Sequence, residues 1–319
     1  GAGEPGAGGA IVDFSPRRDH GTDAAMKGAR AAVIAGAAGT SNVAAAARYG
    51  LAPAGTMAHS YVMSFASELD AFRAFMIDTP DNAILLVDTY DTVQGVANAI
   101  AAARETGVPL KGVRLDSGDR LTLSRKAREM LDEAGFPDAQ IVVSGDLDEG
   151  QIADMVAAGA PIDVWGVGTD LGTSRDSPSV GGVYKLVADR GAGGWRGVAK
   201  RSAEKATLPG PKQVFRFLRD GVLDHDVLAT EDERLDGRPL LEPAMRDGRM
   251  LITDTLADLR ARAADNLRSL PPELRGPGPG PKQPYSVLLS EGLARLAASV
   301  WGDDAAPEPG AAIEQRGRT

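Results

Sequence analysis

The sequence contains no cysteine, only three histidines and no long apolar run. Without cysteine, the 319-residue chain can form neither disulfides nor thiolate metal sites, and it is compatible with the reducing cytoplasm in which we expect it. Its apolar runs, such as AILLV and ANAIAAA, are far shorter than the roughly 18 to 20 residues that a membrane-spanning helix needs. We therefore expect no membrane partner.

An excess of basic charge is absent as well. The chain has 35 Lys and Arg against 44 Asp and Glu, a net charge of −9, and no basic block. A nucleic-acid partner thus has little electrostatic support, and a phosphate ligand must be held by local arginines, lysines and backbone amides. The 43% of apolar and 25% of charged residues are ordinary for a folded enzyme.

Short apolar segments alternate with helical ones from residue 83 onward. The four strand-like segments are AILLVDTYDT, LKGVRLDSGD, QIVVSGDLD and IDVWGVGTDLG, and each runs into Asp, Gly, Ser or Thr. Such alternation predicts parallel strands with their active site at the polar strand ends. Because no GxGxxG follows the first strand, we predict an incomplete or irregular α/β barrel with a smaller strand-rich layer, and not a doubly wound sheet.

The pattern predicts five parts along the chain. We expect a flexible N-terminal edge at 1–10, an α/β barrel catalytic domain at 11–182 and a strand-rich layer at 183–260. A C-terminal helical part at 261–301, in which VLLSEGLARLAASVW is a single final helix, precedes a disordered tail at 302–319.

Several segments could bind a phosphate. Arg114 and Asp116 in VRLDSGD suit a sugar phosphate, with Arg on phosphate and Asp on hydroxyls or Mg²⁺, although an internal salt bridge explains them equally well. The SGD segment, residues 144–146, has the same ambiguity. WGVGTDLG resembles the phosphate loops of barrels or is a simple turn. Thr40 opens an alanine-rich helix as an anion site or a plain N-cap.

His59, in GTMAHSYV, is a core histidine or a functional one. No HxH or HExxH pattern supports a metal ligand. We place His59 and Ser60 on a strand, where adjacent side chains point to opposite faces, so a Ser60–His59 nucleophilic pair is not expected.

Taken together and in order, the motifs resemble the nicotinate phosphoribosyltransferase family. The matching segments cover residues 11 to about 216 almost continuously: GTSNVAAAARYG, GTMAHSYVMSF, LLVDTYDT, VRLDSGD, VVSGDLDE, WGVGTDLGTSRDSPSVGGVYKLV and KATLPGPKQVFR. The resemblance implies a type II phosphoribosyltransferase barrel that makes nicotinate mononucleotide and pyrophosphate from nicotinate and phosphoribosyl pyrophosphate. It also implies coupling to ATP hydrolysis through a phosphohistidine at His59, with Mg²⁺ accompanying the phosphates, in a homodimer.

The same resemblance assigns roles to residues. Phe14 would stack on the pyridine ring, Arg17 would contact base or phosphate, and Arg114 would face nicotinate or pyrophosphate. The remaining implied positions are Asp116, Gly145 and Asp146 near the ribose, Gly166, Gly168 and Thr169 around the 5-phosphate, and Thr40 and Ser60 in substrate binding. No metal ligand is implied at a named residue.

Two departures from the family pattern bear on activity. Ser15 stands where the family usually has glycine, and the family's N-terminal segment, whose tyrosine reaches the neighbouring subunit's base site, does not precede the motif at residue 11. We therefore expect incomplete activity from this chain as it stands. The alternatives are a nicotinamide or quinolinate phosphoribosyltransferase, a sugar-phosphate aldolase or isomerase, and a non-catalytic phosphate-binding remnant.

Overall fold

The computed structural model divides into two units, Gly1–Val180 and Gly181–Thr319. The predicted N-terminal edge at 1–10 and tail at 302–319 fall mostly outside the part of the chain that the structure describes. The described residues are 9–179, 181–202, 206–276, 285–302 and 306–312.

A sheet of six parallel strands organises the first unit. Its strand order is β2-β1-β6-β5-β4-β3. Apart from β2 and β3, strands that are consecutive in the chain are neighbours in the sheet, β1 pairs with β6, and β2 and β3 form the two edges, where the barrel stays open. Thr40 at the β2 edge instead bridges to Pro53. The strands are β1 Ala10–Asp13, β2 Gly39–Thr40, β3 Ile84–Leu86, β4 Gly112–Leu115, β5 Gln140–Ser144 and β6 Val164–Val167. This arrangement confirms the predicted incomplete α/β barrel.

Helices connect the strands, and most begin at a side chain that caps the first turn. Asp91, Asp119 and Asp148 each accept a hydrogen bond from the backbone amide three residues later, which satisfies one free donor of the helix. The helices are α1 Thr22–Ala35, α2 Val43–Tyr49, α3 His59–Met63, α4 Glu68–Asp78, α5 Thr92–Thr106, α6 Arg120–Glu133, α7 Glu149–Ala157 and α8 Thr169–Thr173, with a 3₁₀ turn at Pro80–Asn82.

The core of this unit lies between the sheet and the helices that follow it. Strand residues such as Leu85, Val113 and Ile141 are fully buried, as are Phe72 of α4 and Leu131 of α6. Parallel strands that are covered in this way need continuous apolar runs, which explains the pattern in the sequence. Burial of each side chain of this size stabilises the folded state by about 1.5–3 kcal/mol. The strand ends are therefore part of a well-packed, stable sheet.

The second unit is built mostly on antiparallel strand pairs. A hairpin joins β7 Ala188–Gly191 to β8 Gly194–Gly197. A four-stranded sheet has the order β11-β9-β10-β14. The other elements are β9 Lys212–Arg219, β10 Val222–Thr230, β11 Arg238–Pro239, β12 Met245–Arg246, β13 Arg249–Met250, α9 Leu256–Ser269, a 3₁₀ turn at Pro272–Leu274, β14 Val287–Leu289 and α10 Glu291–Trp301.

The single final helix predicted from VLLSEGLARLAASVW is wrong in its first part. Val287–Leu289 is a strand that pairs in parallel with β10, and the helix starts only at Glu291. Ser290 causes the break, because its hydroxyl accepts the backbone N–H of Leu293 at 3.1 Å as an N-cap. No helix among the described residues has the length and apolar character needed to cross a membrane.

Candidate functional site

The carboxyl ends of β1, β4, β5 and β6 meet at one edge of the barrel and line a pocket of about 440 Å³. Parallel strands bring their C-terminal ends to the same edge, which is why four separate segments converge here. The lining residues are Phe14, Arg17, Arg18, Arg114, Asp116, Ser117, Gly118, Arg120, Ser144, Gly145, Asp146, Gly166, Gly168 and Thr169.

Arg114, on β4, is fixed by a set of hydrogen bonds. Its Nε donates to Ser144 Oγ at 2.8 Å, and its Nη2 donates to Asp116 Oδ1 at 2.7 Å. Its Nη1 donates to Thr56 Oγ1 at 3.1 Å. With 16% of its side chain exposed, the guanidinium is a rigid cation at the pocket wall.

Asp116 stays ionised beside this cation. Burial raises the pKa of its carboxyl, but hydrogen bonds from Ser144 and Arg114 and the positive charge of Arg114 outweigh burial and hold the pKa below its usual value. Ser144 Oγ donates to Asp116 Oδ1 at 2.5 Å. The site therefore has a fixed carboxylate that can accept a ligand hydroxyl.

Phe14 forms an aromatic wall next to Arg114. The guanidinium carbon of Arg114 lies 5.2 Å from the centroid of the Phe14 ring, a cation–π contact. A Cβ on Gly166 would lie 2.6 Å from the ring, so only glycine lets the ring occupy this place. A second pocket of about 280 Å³ also has Phe14, Arg17 and Arg114 in its lining.

The turn after β5 needs glycine for a different reason. Gly145 has φ +90° and Asp146 has φ +45°, both in the left-handed region. A Cβ on Gly145 would lie 2.0 Å from the carbonyl oxygen of Asp116. Arg120 Nη2 donates to the Gly145 carbonyl at 2.5 Å, which holds this turn against the pocket.

The pocket carries more positive than negative charge. Arg17, Arg18, Arg114 and Arg120 face two carboxylates, those of Asp116 and Asp146. Gly168 and Thr169, at the start of α8, complete the wall next to these groups. A ligand with several anionic oxygens and a few hydroxyls matches this combination.

His59 lies beside the pocket, at the first residue of α3. Its Nδ1 is 3.1 Å from Thr89 Oγ1, and its Nε2 is 3.8 Å from Asp116 Oδ2 and 4.0 Å from Asp88 Oδ1. With 40% of its side chain exposed, His59 is not a core histidine. The strand expected for His59 and Ser60 is wrong, since both lie in a helix that begins at Ala58 as N-cap.

Thr40 and Ser60 do not line either pocket. Thr40 is fully buried, and its hydroxyl donates to Asp13 Oδ2 at 2.7 Å and accepts the Asn42 N–H at 3.0 Å. Through these two hydrogen bonds, the buried Thr40 links β1 to the start of α2.

Sequence reasoning did not single out Asp88, which lies buried against Asp116 and Ser117 of the pocket wall. Its side chain is 1% exposed, and its Oδ2 accepts hydrogen bonds from the Asp116 N–H at 2.9 Å and the Ser117 hydroxyl at 2.6 Å. Its Oδ1 is buried and has no hydrogen-bond partner among the described residues. The signal was present, because Asp88 is the first polar residue after a buried strand. Arg120 was missed too, since an arginine early in a helix looks solvated.

The family model described as "Nicotinate phosphoribosyltransferase (NAPRTase) family" matches residues 10–179, the barrel unit that holds the pocket. The chain belongs to the nicotinate phosphoribosyltransferase family. The match covers all of the residues that line the two pockets.

Two curated members of the nicotinate phosphoribosyltransferase family are close relatives. The nicotinate phosphoribosyltransferase pncB2 of Mycobacterium tuberculosis is 45% identical over 311 residues, 95% of this chain and 65% of the relative. The nicotinate phosphoribosyltransferase of Bacillus subtilis is 46% identical over 237 residues, 72% of this chain and 48% of the relative. The chain thus spans less than two thirds of the length of these relatives.

The solved structures agree at the level of the fold. The crystal structure of human nicotinic acid phosphoribosyltransferase has a TM-score of 0.71 and 27% identity, covering 91% of this chain and 70% of that one. A nicotinate-nucleotide pyrophosphorylase from Pyrococcus furiosus has a TM-score of 0.65 and 24% identity, covering 82% and 66%.

Proposed function

We propose that this chain transfers the ribose 5-phosphate of phosphoribosyl pyrophosphate to nicotinate, giving nicotinate mononucleotide and pyrophosphate in NAD salvage. The observation that carries the proposal is the pocket at the strand ends, where an aromatic ring, a fixed guanidinium and a cationic wall meet in a chain of this family. Nicotinate offers a flat ring and a carboxylate, and its co-substrate offers phosphates and ribose hydroxyls. The pocket has a complementary group for each of them.

Each part of the substrates has a candidate partner. The pyridine ring would lie on Phe14 with its carboxylate near Arg17 or Arg114. Asp116 and Asp146 are close enough to the pocket to accept ribose hydroxyls, and the backbone at Gly168 would face the 5-phosphate. As the bond to pyrophosphate breaks, positive charge develops on the ribose, and the Asp116 carboxylate would stabilise it.

We also propose that ATP phosphorylates His59. The new N–P bond replaces the bond between the γ-phosphorus and ADP, which leaves. His59 contacts Asp116, which in turn contacts Arg114, so a charge change on the imidazole is passed directly to the pocket wall. The phosphorylated and free forms then differ in their affinity for substrates and products, which is how hydrolysis of the phosphohistidine can be coupled to the transfer.

We expect Mg²⁺ to enter this site bound to the substrate phosphates, and not at a site made by protein side chains alone. The described residues contain no group of three or more His, Cys, Asp or Glu that could hold a metal ion. Mg²⁺ keeps several waters and binds substrate phosphates with one or two carboxylates. Asp116 and Asp146 are the pocket carboxylates that could supply them, and the ion would neutralise the leaving pyrophosphate.

The assembly and location belong to the same proposal. We expect a homodimer, because the family places a residue of one subunit in the base site of the next, and we expect it in the cytoplasm with its soluble substrates. Analytical ultracentrifugation of the purified chain tests the first expectation, and fractionation of the source cells tests the second.

The activity is tested by supplying phosphoribosyl pyrophosphate, Mg²⁺ and one of three acceptors, nicotinate, nicotinamide or quinolinate, with and without ATP. Chromatographic detection of nicotinate mononucleotide, increased by ATP, is the expected result. Turnover of nicotinamide or quinolinate instead would replace the proposed substrate. If no acceptor reacts, calorimetric titration with phosphoribosyl pyrophosphate separates a binding protein from an inert one.

The phosphohistidine is tested separately with γ-labelled ATP. We expect an acid-labile, base-stable label that His59→Ala abolishes. His225→Gln is the matched control, because His225 lies in the second unit, where its ring stacks on Phe217. Label that persists in His59→Ala would place the phosphate on another residue and overturn this part of the proposal.

A further inference from the structure

A buried connection runs beneath the loop that carries the pocket's aromatic ring and two of its arginines. Asp13 and Ser15 are each 1% exposed. Asp13 Oδ1 accepts the Ser15 N–H at 2.9 Å, and the Ser15 hydroxyl donates to Asp19 Oδ2 at 3.0 Å. This connection ties the end of β1 to the far end of the loop, with Arg17 and Arg18 exposed between the two tied points.

The other oxygen of Asp19 is turned away from water and against α8. Asp19 Oδ1 is buried and has no hydrogen-bond partner among the described residues. A Cβ built on Gly172 would lie 2.0 Å from this oxygen and 2.4 Å from Ser15 Cβ. The backbone of α8 therefore packs directly on the Ser15 and Asp19 side chains, a few residues after Gly168 and Thr169 enter the pocket wall.

Packing against α8, and not hydration, holds the Asp19 carboxylate in its position. Burial raises the pKa of Asp19 above its usual value, and the charge of Asp13 raises it further, against the opposing effects of the Ser15 hydrogen bond and of His20. A loop carboxylate that is free to turn toward water avoids such a cost. The position is thus imposed by the two elements on either side of it.

We infer that Asp19 is a positioning residue that sets the spacing between two walls of the pocket. One wall is the loop with Arg17 and Arg18, and the other is the start of α8 with Gly168 and Thr169. This inference rests on the proposed function for its substrate. The two walls together provide the charges and backbone groups that would hold phosphoribosyl pyrophosphate. A change in their spacing by a fraction of an ångström weakens contacts that both walls must make at once.

The first test changes Asp19 and its partner. Asp19→Ala and Ser15→Ala remove the contact, and we expect each to raise the KM for phosphoribosyl pyrophosphate about tenfold with kcat changed less than about twofold. Asp19→Asn keeps the shape and can still accept the Ser15 hydrogen bond, so it should restore most of the affinity. Asp23→Ala is the matched control, since Asp23 is exposed and its ion pair within the described part of the chain is with Lys27 in the next turn of α1.

The second test approaches the same contact from α8. Gly172→Ala places a methyl group against Asp19, and we expect a similar rise in the KM for phosphoribosyl pyrophosphate. Asp19→Ala removes one of the two side chains that this methyl group would meet, and Ser15 Cβ, at 2.4 Å, is the other. The double variant should therefore raise KM by less than the product of the two single effects, without returning it to the wild-type value. Gly150→Ala is the control, since among the residues that the structure describes a Cβ there would meet only Asp148 Oδ1, at 3.3 Å.

Calorimetric titration with phosphoribosyl pyrophosphate and labelling by ATP distinguish the possible failures. Wild-type protein that does not bind phosphoribosyl pyrophosphate would refute the proposed function. Wild-type binding that Ser15→Ala, Gly172→Ala and Asp19→Ala all leave unchanged would refute the positioning role. So would a parallel loss of binding, kcat and His59 labelling in Asp19→Asn, because that pattern indicates general unfolding. If Asp19→Ala does not fold, Ser15→Ala and Gly172→Ala still decide the question.

Discussion

Arg114 Nη2 donates a hydrogen bond at 2.7 Å to Oδ1 of Asp116, two residues further along the same strand end. Residues two apart on a strand point to the same face, so the chain places a cation and an anion side by side without any distant contact. The same Asp116 oxygen also accepts the Ser144 hydroxyl from the next strand. The Arg114–Asp116 pair is therefore held in one orientation in the pocket wall.

Arg114→Lys should lower kcat/KM for both substrates on the order of 100-fold. Lysine keeps the charge but donates from a single nitrogen, which cannot reach Ser144, Thr56 and Asp116 at once as the three guanidinium nitrogens do. Asp116 thus loses one of the two side-chain hydrogen bonds that orient it. Steady-state kinetics with each substrate varied in turn measures the effect. Arg48→Lys, at an exposed position on α2, is the control and should be unchanged. Wild-type kinetics in Arg114→Lys would show that charge alone matters here.

Gly145→Ala should destabilise the first unit by about 3 kcal/mol or more, from backbone strain and a clash together. Gly135→Ala separates the two causes. Gly135 has φ +88°, close to the +90° of Gly145, but a Cβ there meets no other described residue within 4 Å apart from its chain neighbours. The control should therefore cost only about 1–2 kcal/mol, the strain by itself. Urea unfolding of both variants measures the difference, and equal losses would argue against the approach of Gly145 to the Asp116 carbonyl.

Tyr285 should make the second unit sensitive to alkaline pH. Burial and the neighbouring Asp226 carboxylate raise the pKa of Tyr285 from its ordinary value near 10 to about 12. The hydroxyl donates to Asp226 Oδ1 at 3.1 Å only while it is protonated. Its contribution to stability is thus complete below pH 10 and is lost as the pH rises toward about 12.

Tyrosinate absorbance, followed during an alkaline titration, measures this pKa as the difference between wild type and Tyr285→Phe. The variant should also lose less stability than wild type between pH 10 and about 12 in urea unfolding. Tyr184→Phe is the control, because Tyr184 is fully exposed in the same unit. A Tyr285 that titrates with the exposed tyrosines would contradict the buried hydrogen bond.

Local patterns in the sequence predicted much of the barrel. Apolar runs of strand length that end in polar residues, separated by segments with helical spacing, predicted parallel strands, and the four runs after residue 83 are β3, β4, β5 and β6 of the sheet. The same patterns placed Arg114 and Gly166 in strand-like segments that run into polar residues, whereas Phe14 was implied only by the resemblance to the family. They failed at VLLSEGL, where Val287–Leu289 pairs with a strand about 60 residues earlier in the chain, a long-range contact that no local pattern contains.

What the sequence by itself determined is the succession of strands and helices and the edge at which their polar residues gather, because both depend on interactions between near neighbours. Only the tertiary structure decided how those residues combine. Arg114 contacts Ser144 and Thr56, 30 and 58 residues away, and Asp88 lies buried beneath Asp116. Asp19 meets α8 at Gly172. Such contacts form when the sheet curls, so their geometry follows from packing and not from any segment alone.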